Sequence, residues 1–157
     1  MWTGVKMWIA RPAHGGLLGL DRGGILLPMS GAATRKRPSL HVLIVEDHDD
    51  SRDMLRQILE YSGLRVSESL AADEALAMAA GTPFDVVITD ISLGGGGRDG
   101  VWLLQRLQRS APKLPVVAMT GYKEREHELV QLGFAAVLIK PIDALNLAAI
   151  VQGVTRR

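Results

Sequence analysis

The sequence predicts an α/β domain built on a doubly wound, five-stranded parallel sheet, preceded by a poorly ordered extension over residues 1–39. Three observations predict it. The runs Val42-Leu43-Ile44-Val45, Val86-Val87-Ile88 and Val116-Val117-Ala118-Met119 are short, apolar and non-alternating. β-branched residues dominate them, as in strands covered on both faces. Between these runs lie segments of helical spacing, with capping acids before them and glycine or proline after. Finally, the strand runs end on acids, a threonine and a lysine. In open parallel sheets that edge is where ligands gather. Strands and helices alternating at short spacing complete the case for a parallel sheet.

Residues 1–39 carry seven glycines, three prolines and no sustained periodicity, and six bases against one acid give them a net charge of +5. Gly15-Gly16, Asp21-Arg22 and Gly23-Gly24 interrupt the apolar islets, so the continuous core of about 7–15 residues that a secretory signal needs is lacking. The basic stretch Thr34 to Pro38 reads as a solvated linker rather than a nucleic-acid contact. The rest of the chain, with 12 bases against 16 acids, is a chemically different object.

From Leu40 the pattern becomes regular. Val42 to Val45 is a buried strand running into Glu46-Asp47-His48-Asp49-Asp50. Met54, Leu55, Ile58 and Leu59 mark a helix that Asp49 or Asp50 caps and Gly63 ends. Leu64 and Val66 begin a more polar strand near a sheet edge, and Ala71 to Ala80 forms an alanine-rich helix presenting Ala72, Ala75, Leu76 and Ala79 on one face. The central strand, entered at Phe84-Asp85, runs through Val86 to Asp90, and the glycine loop Gly94 to Gly97 follows. Val101, Leu104 and Leu107 mark the third helix, closed by Ser110-Ala111-Pro112. Val116 to Thr120 is the fourth strand and Lys123 to Leu132 a charged helix with few apolar residues. Ala135 to Ile139 is the fifth strand, ending at Lys140-Pro141, and Asp143 caps a last helix over Ala144 to Val154. Met54 and Met119 read as core filler, and Trp102 as a residue packed near the loop after Asp90 or at a partner surface. His48 reads as a polar loop residue beside acids, and His127 as solvated.

At 157 residues with 47% hydrophobic content, the chain suffices for one domain with a real core. No apolar run approaches the roughly eighteen residues that span a bilayer, so no membrane contact is expected. The absence of cysteine excludes disulfides and thiolate metal sites and fits a cytoplasmic setting.

The strand ends bring together Glu46 and Asp47, then Asp90, Thr120 and Lys140. Converging carboxylates repel one another unless a cation is present, and three hard oxygen donors suit Mg²⁺. A hydroxyl and an ammonium opposite them suit a phosphate-like anion. Together they are equipment for phosphoryl transfer to Asp90 through an acyl-phosphate.

With these motifs in view, residues 40–157 resemble the receiver domain of two-component response regulators: Val42 to Asp47, Asp90 with Asp99-Gly100, Thr120-Gly121 and Lys140-Pro141 stand in that family's order. The resemblance is to chemotaxis-regulator-like receivers and to those of hybrid histidine kinases. It implies a flavodoxin-like sheet of strand order 2-1-3-4-5. It also implies Asp90 as phospho-acceptor, Asp47 as direct Mg²⁺ ligand, Glu46 as its acidic neighbour and the Ser92 carbonyl as backbone metal ligand. Thr120 and Lys140 become the groups that bind phosphoryl oxygens. The implied partners are a histidine kinase or histidine phosphotransfer protein upstream and a protein target on the fourth helix–fifth strand–fifth helix face. Direct DNA binding is not expected, and the resemblance leaves room for a homodimer.

Three features depart from the family's pattern. Gly94 stands where a proline is usual, Asp99-Gly100 lies about two residues further from Asp90, and Val137 replaces a common aromatic. The first two predict a more mobile rim, the third a switch without a rotating ring. Nothing beyond Gln152 to Arg157 follows the last helix, so a stand-alone receiver is expected, with the detached receiver of a hybrid kinase as alternative. A pseudo-receiver that signals without phosphate and an aspartyl-phosphate phosphatase are the rivals. The phosphatase would need a second acid two residues after Asp90, where Ser92 stands. No enzymatic turnover is expected beyond self-phosphorylation from a donor and self-dephosphorylation.

Overall fold

The computed structural model describes residues 39–94 and 96–156. The expectation of disorder over residues 1–39 thus falls, Ser39 apart, outside the described residues. Strands β1 (His41–Val45), β2 (Arg65–Ser69), β3 (Val86–Asp90), β4 (Val116–Thr120) and β5 (Ala136–Ile139) alternate with helices α1 (Asp49–Tyr61), α2 (Ala72–Gly81), α3 (Gly100–Ser110), α4 (Glu126–Leu132) and α5 (Ala144–Thr155). All strand pairs are parallel and the order is β2-β1-β3-β4-β5, the flavodoxin-like arrangement.

Alternate side chains of each central strand enter opposite cores, which is why the runs are apolar without alternation. Leu43, Val45, Val87 and Ala118 pack with Leu103, Leu104 and Leu107 of α3 and Leu129 of α4. Val42, Ile44, Ile88, Val117 and Met119 pack on the other face with Leu55 and Leu59 of α1 and Leu147 and Val151 of α5. β2 is an edge strand with mostly part-exposed residues, as its polar sequence predicts. No helix among the described residues is long and apolar enough to cross a membrane.

Three local expectations are corrected. The cap of α1 is His48, and Asp49 and Asp50 occupy the first turn instead, where acids oppose the positive end of the helix dipole. Met54 is 44% exposed rather than core, because the buried stripe of α1 runs through Leu55 and Leu59. The charged stretch from Lys123 is not one helix: a 3₁₀ turn over Lys123–Arg125 precedes a seven-residue α4. Only Leu129 there is fully buried, so little packing holds the first turn in α geometry. The remaining ends behave as read. Gly63 lies beyond α1 with φ +80°, and Asp143 caps α5 by accepting the Asn146 amide at 3.0 Å.

Candidate functional site

The chain turns back on itself at β1, with β2 on one side and β3 on the other, so the crevice between β1 and β3 is the topological switch point. The register brings the site to this edge. Val45 pairs with Thr89, Asp90 with Met119, and Thr120 with Ile139. Glu46 and Asp47 therefore leave β1 beside Asp90, and Lys140 leaves β5 just beyond Thr120.

Glu46, Asp47, His48 and Asp90 each offer a ligand atom within 4.8 Å of the others. Glu46 is fully buried and Asp90 is 4% exposed. Lys140 Nζ donates to Asp90 Oδ2 at 2.9 Å and to Glu46 Oε2 at 3.1 Å. His48 Nδ1 lies 3.2 Å from Glu46 Oε1 and 3.0 Å from Asp47 Oδ1. The carboxylates are thus threaded by two basic side chains, in the order Asp90, Lys140, Glu46, His48, Asp47. Burial works against the Lys140 ammonium, yet the hydrogen bonds to Asp90 and Glu46 hold its pKa above the ordinary lysine value. The hydrogen bond to Glu46, and then the charge of Asp47, raise His48.

Asp47 is held from another direction. The Gly94 amide donates to its Oδ2 at 2.9 Å. Burial alone would raise its pKa, but the Gly94 amide, its own amide and His48 hold it below the usual carboxylate range. Asp90 Oδ1 accepts the Ser92 amide at 3.0 Å. A Cβ at Gly100 would lie 2.4 Å from the Asp90 carbonyl oxygen, so the Asp99-Gly100 turn packs against the backbone of Asp90. Asp99 also caps α3 by accepting the Trp102 amide at 2.8 Å.

Of the residues the sequence singles out, Glu46, Asp47, Asp90 and Lys140 come together. Ser92 joins them through its amide, on Asp90. Thr120 is buried at the end of β4, between β3 and β5, and its hydroxyl oxygen accepts the Tyr122 amide at 3.1 Å rather than touching a carboxylate. Two participants were missed. His48 belongs to the acid cluster, a placement that its adjacency to Glu46-Asp47 already signalled. Gly94 contributes a backbone donor that a proline could not supply. The ends of the glycine loop are tied: Gly94 to Asp47, and Arg98 to Asp73 of α2 at 2.8 Å. Gly95, within the loop predicted to be mobile, lies outside the described residues. Trp102 packs beside this loop, with the Arg98 and Arg106 guanidinium groups 5.7 and 5.2 Å from its ring centre.

Residues 42–152 match the family model for the response regulator receiver domain. The chain belongs to that family. This receiver is 35% identical over 118 residues to an uncharacterized 14.6 kDa protein of Leptolyngbya boryana, covering 72% of this chain and 88% of that one. It is 34% identical over 118 residues to the transcriptional regulatory protein FixJ of Azorhizobium caulinodans, covering 73% of this chain and 54% of FixJ, so it spans about half that relative's length. Its fold matches the receiver domain of the sensor histidine kinase PA1611 from Pseudomonas aeruginosa with a TM-score of 0.68 at 21% identity, covering 76% of this chain and 99% of that one. In that neighbour a magnesium ion is coordinated in the active-site cleft.

Proposed function

We propose that this receiver accepts a phosphoryl group on Asp90 from a histidine kinase or histidine phosphotransfer protein in the cytoplasm. It then signals by altered affinity for a protein target rather than by binding DNA. The observation that carries this reading is the pairing of Lys140 Nζ with Oδ2 of the buried Asp90, beside the buried Glu46, in the acid cluster at the switch point. A carboxylate oxygen of Asp90 attacks phosphorus, a P–O bond forms, and the bond from phosphorus to the donor's leaving group breaks. Lys140 keeps an ammonium beside the arriving phosphoryl oxygens, and the Ser92 amide orients the carboxylate.

The donor set fits a hard divalent cation: three carboxylates converge and none of the cluster's ligands is soft. Glu46, Asp47, Asp90 and the Ser92 carbonyl would hold Mg²⁺, which when bound neutralises charge building on the phosphoryl oxygens. Thr120, whose hydroxyl oxygen accepts the Tyr122 amide, would donate its hydroxyl hydrogen to a phosphoryl oxygen. The domain performs no turnover beyond its own phosphorylation and dephosphorylation.

Incubation with Mg²⁺ and a small acyl-phosphate donor tests this directly. The intact mass should rise by one phosphoryl group, and Asp90→Asn should abolish the gain. No gain with any donor would leave a receiver fold that signals without phosphate. Turnover of phosphate esters would instead revive the phosphatase reading.

A further inference from the structure

Among the described residues, the glycine loop reaches back over the site through the Gly94 backbone amide. Gly94 N–H lies 2.9 Å from Asp47 Oδ2, and a Cβ at this position would sit 3.1 Å from the same oxygen. Any side chain would crowd the carboxylate the amide is holding. The backbone leading into the donor is itself anchored, since Leu93 is buried and the Ser92 amide donates to Asp90 Oδ1.

The two oxygens of Asp47 are restrained very differently. Oδ2 is held by backbone. Oδ1 faces His48 Nδ1 at 3.0 Å, and the His48 side chain is 73% exposed. An exposed side chain rotates away at little cost, whereas the Gly94 amide leaves only if the backbone after the buried Leu93 moves. Oδ1 is therefore the oxygen that can be released to another ligand while Oδ2 stays fixed.

We propose that the Gly94 backbone amide positions Asp47 for its metal, fixing Oδ2 so that Oδ1 is presented to the cation. The proposal rests on the reading of Asp47 as a metal ligand. Ligating carboxylates held by an outer donor lose roughly 10- to 100-fold in metal affinity when that donor is removed. Gly94 acts through Asp47 and is a positioning residue.

The test measures Mg²⁺ and Ca²⁺ binding by calorimetry for wild type, Gly94→Ala, Gly94→Pro and Asp47→Ala. Gly94→Ala keeps the N–H and serves as the control for the added Cβ, while Gly94→Pro removes the donor. Gly94→Pro should bind Mg²⁺ about tenfold more weakly than Gly94→Ala. It should lose less for Ca²⁺, which tolerates irregular geometry where Mg²⁺ demands an octahedron. A merely destabilised fold would not change that ratio. Equal Mg²⁺ affinity in the two Gly94 variants overturns the proposal while leaving the metal site intact. Wild-type affinity in Asp47→Ala overturns the metal reading itself. Amide exchange in the wild-type protein gives an answer independent of any variant's folding. Mg²⁺ should slow exchange of the Gly94 amide; acceleration would show that the metal competes with this amide, contrary to the proposal.

Discussion

Lys140 Nζ lies 2.9 Å from Asp90 Oδ2, although β4 separates the strands that carry the two residues. The same ammonium reaches Glu46, so one cation serves two nearly inaccessible carboxylates. Its own side chain is 33% exposed, which lowers the cost of placing it there. Removing one partner of a buried pair costs more than the pair contributes, because the survivor keeps its desolvation penalty. Lys140→Met should lower the unfolding free energy in EDTA at neutral pH by about 2–3 kcal/mol, below the full figure for a deeply buried pair. Urea denaturation measures this, and an unchanged midpoint would mean that the carboxylates are neutralised in another way.

Gly100 is required by contact rather than by conformation. The atom its Cβ would meet is the Asp90 carbonyl oxygen, at 2.4 Å, which is backbone and cannot swing aside. Gly100→Ala should therefore destabilise the domain by about 1–3 kcal/mol through overpacking, despite alanine's better helix propensity. It should also slow phosphorylation by moving Asp90. Thermal melts and the phosphodonor reaction measure both effects; a more stable variant with normal phosphorylation would refute the close approach.

Glu74 closes the start of α2 by accepting the Ser69 hydroxyl at 2.8 Å and the Leu70 amide at 3.0 Å. These two hydrogen bonds, Ser69 first, hold its pKa below the ordinary glutamate value. A carboxyl depressed on folding stabilises above its unfolded pKa, and that contribution disappears as pH falls through the folded value. Glu74→Gln should thus be less stable than wild type at neutral pH. The difference should shrink on acidification through the carboxylate range, near pH 4 and below. Parallel denaturation curves at several pH values decide; a difference independent of pH would mean that the charge contributes nothing.

Much of this architecture was legible in the residues because parallel strands buried on both faces leave continuous apolar runs, and their ends are marked by the acids themselves. Strand placement, the five-membered order implied by the resemblance, and the meeting of Glu46, Asp47, Asp90 and Lys140 all follow that signal. What escaped depends on geometry that spacing does not encode. Met54 shares the helical period of Leu55 but falls just outside the buried arc of α1. His48 displaced the expected aspartate as cap because its backbone leaves β1 extended while its ring turns to Glu46 and Asp47. The Gly94 donor is invisible in sequence, since a backbone amide carries no residue signature and its acceptor lies 47 positions away.

Thr120 connects the phosphoryl-accepting end of the sheet to the segment that follows β4. Its hydroxyl accepts the Tyr122 amide, and Tyr122 opens the 3₁₀ turn that leads into α4. A rotation of Thr120 toward a phosphoryl oxygen that draws its oxygen off this amide frees the turn to rearrange. α4 is poised to follow. Leu129 is fully buried, whereas Val130 is 51% and Leu132 39% exposed, so little packing resists displacement. Val137 of β5, paired with Ala118 of β4, packs into the same apolar cluster as Leu129 but offers no ring to rotate. Hydrogen exchange over residues 123–132 should therefore change on phosphorylation or with a beryllofluoride mimic. Thr120→Ala should weaken that change more than Val137→Ala, because only the former removes the link through Tyr122. The reverse order would place the switch at Val137 and exclude the Thr120–Tyr122 route.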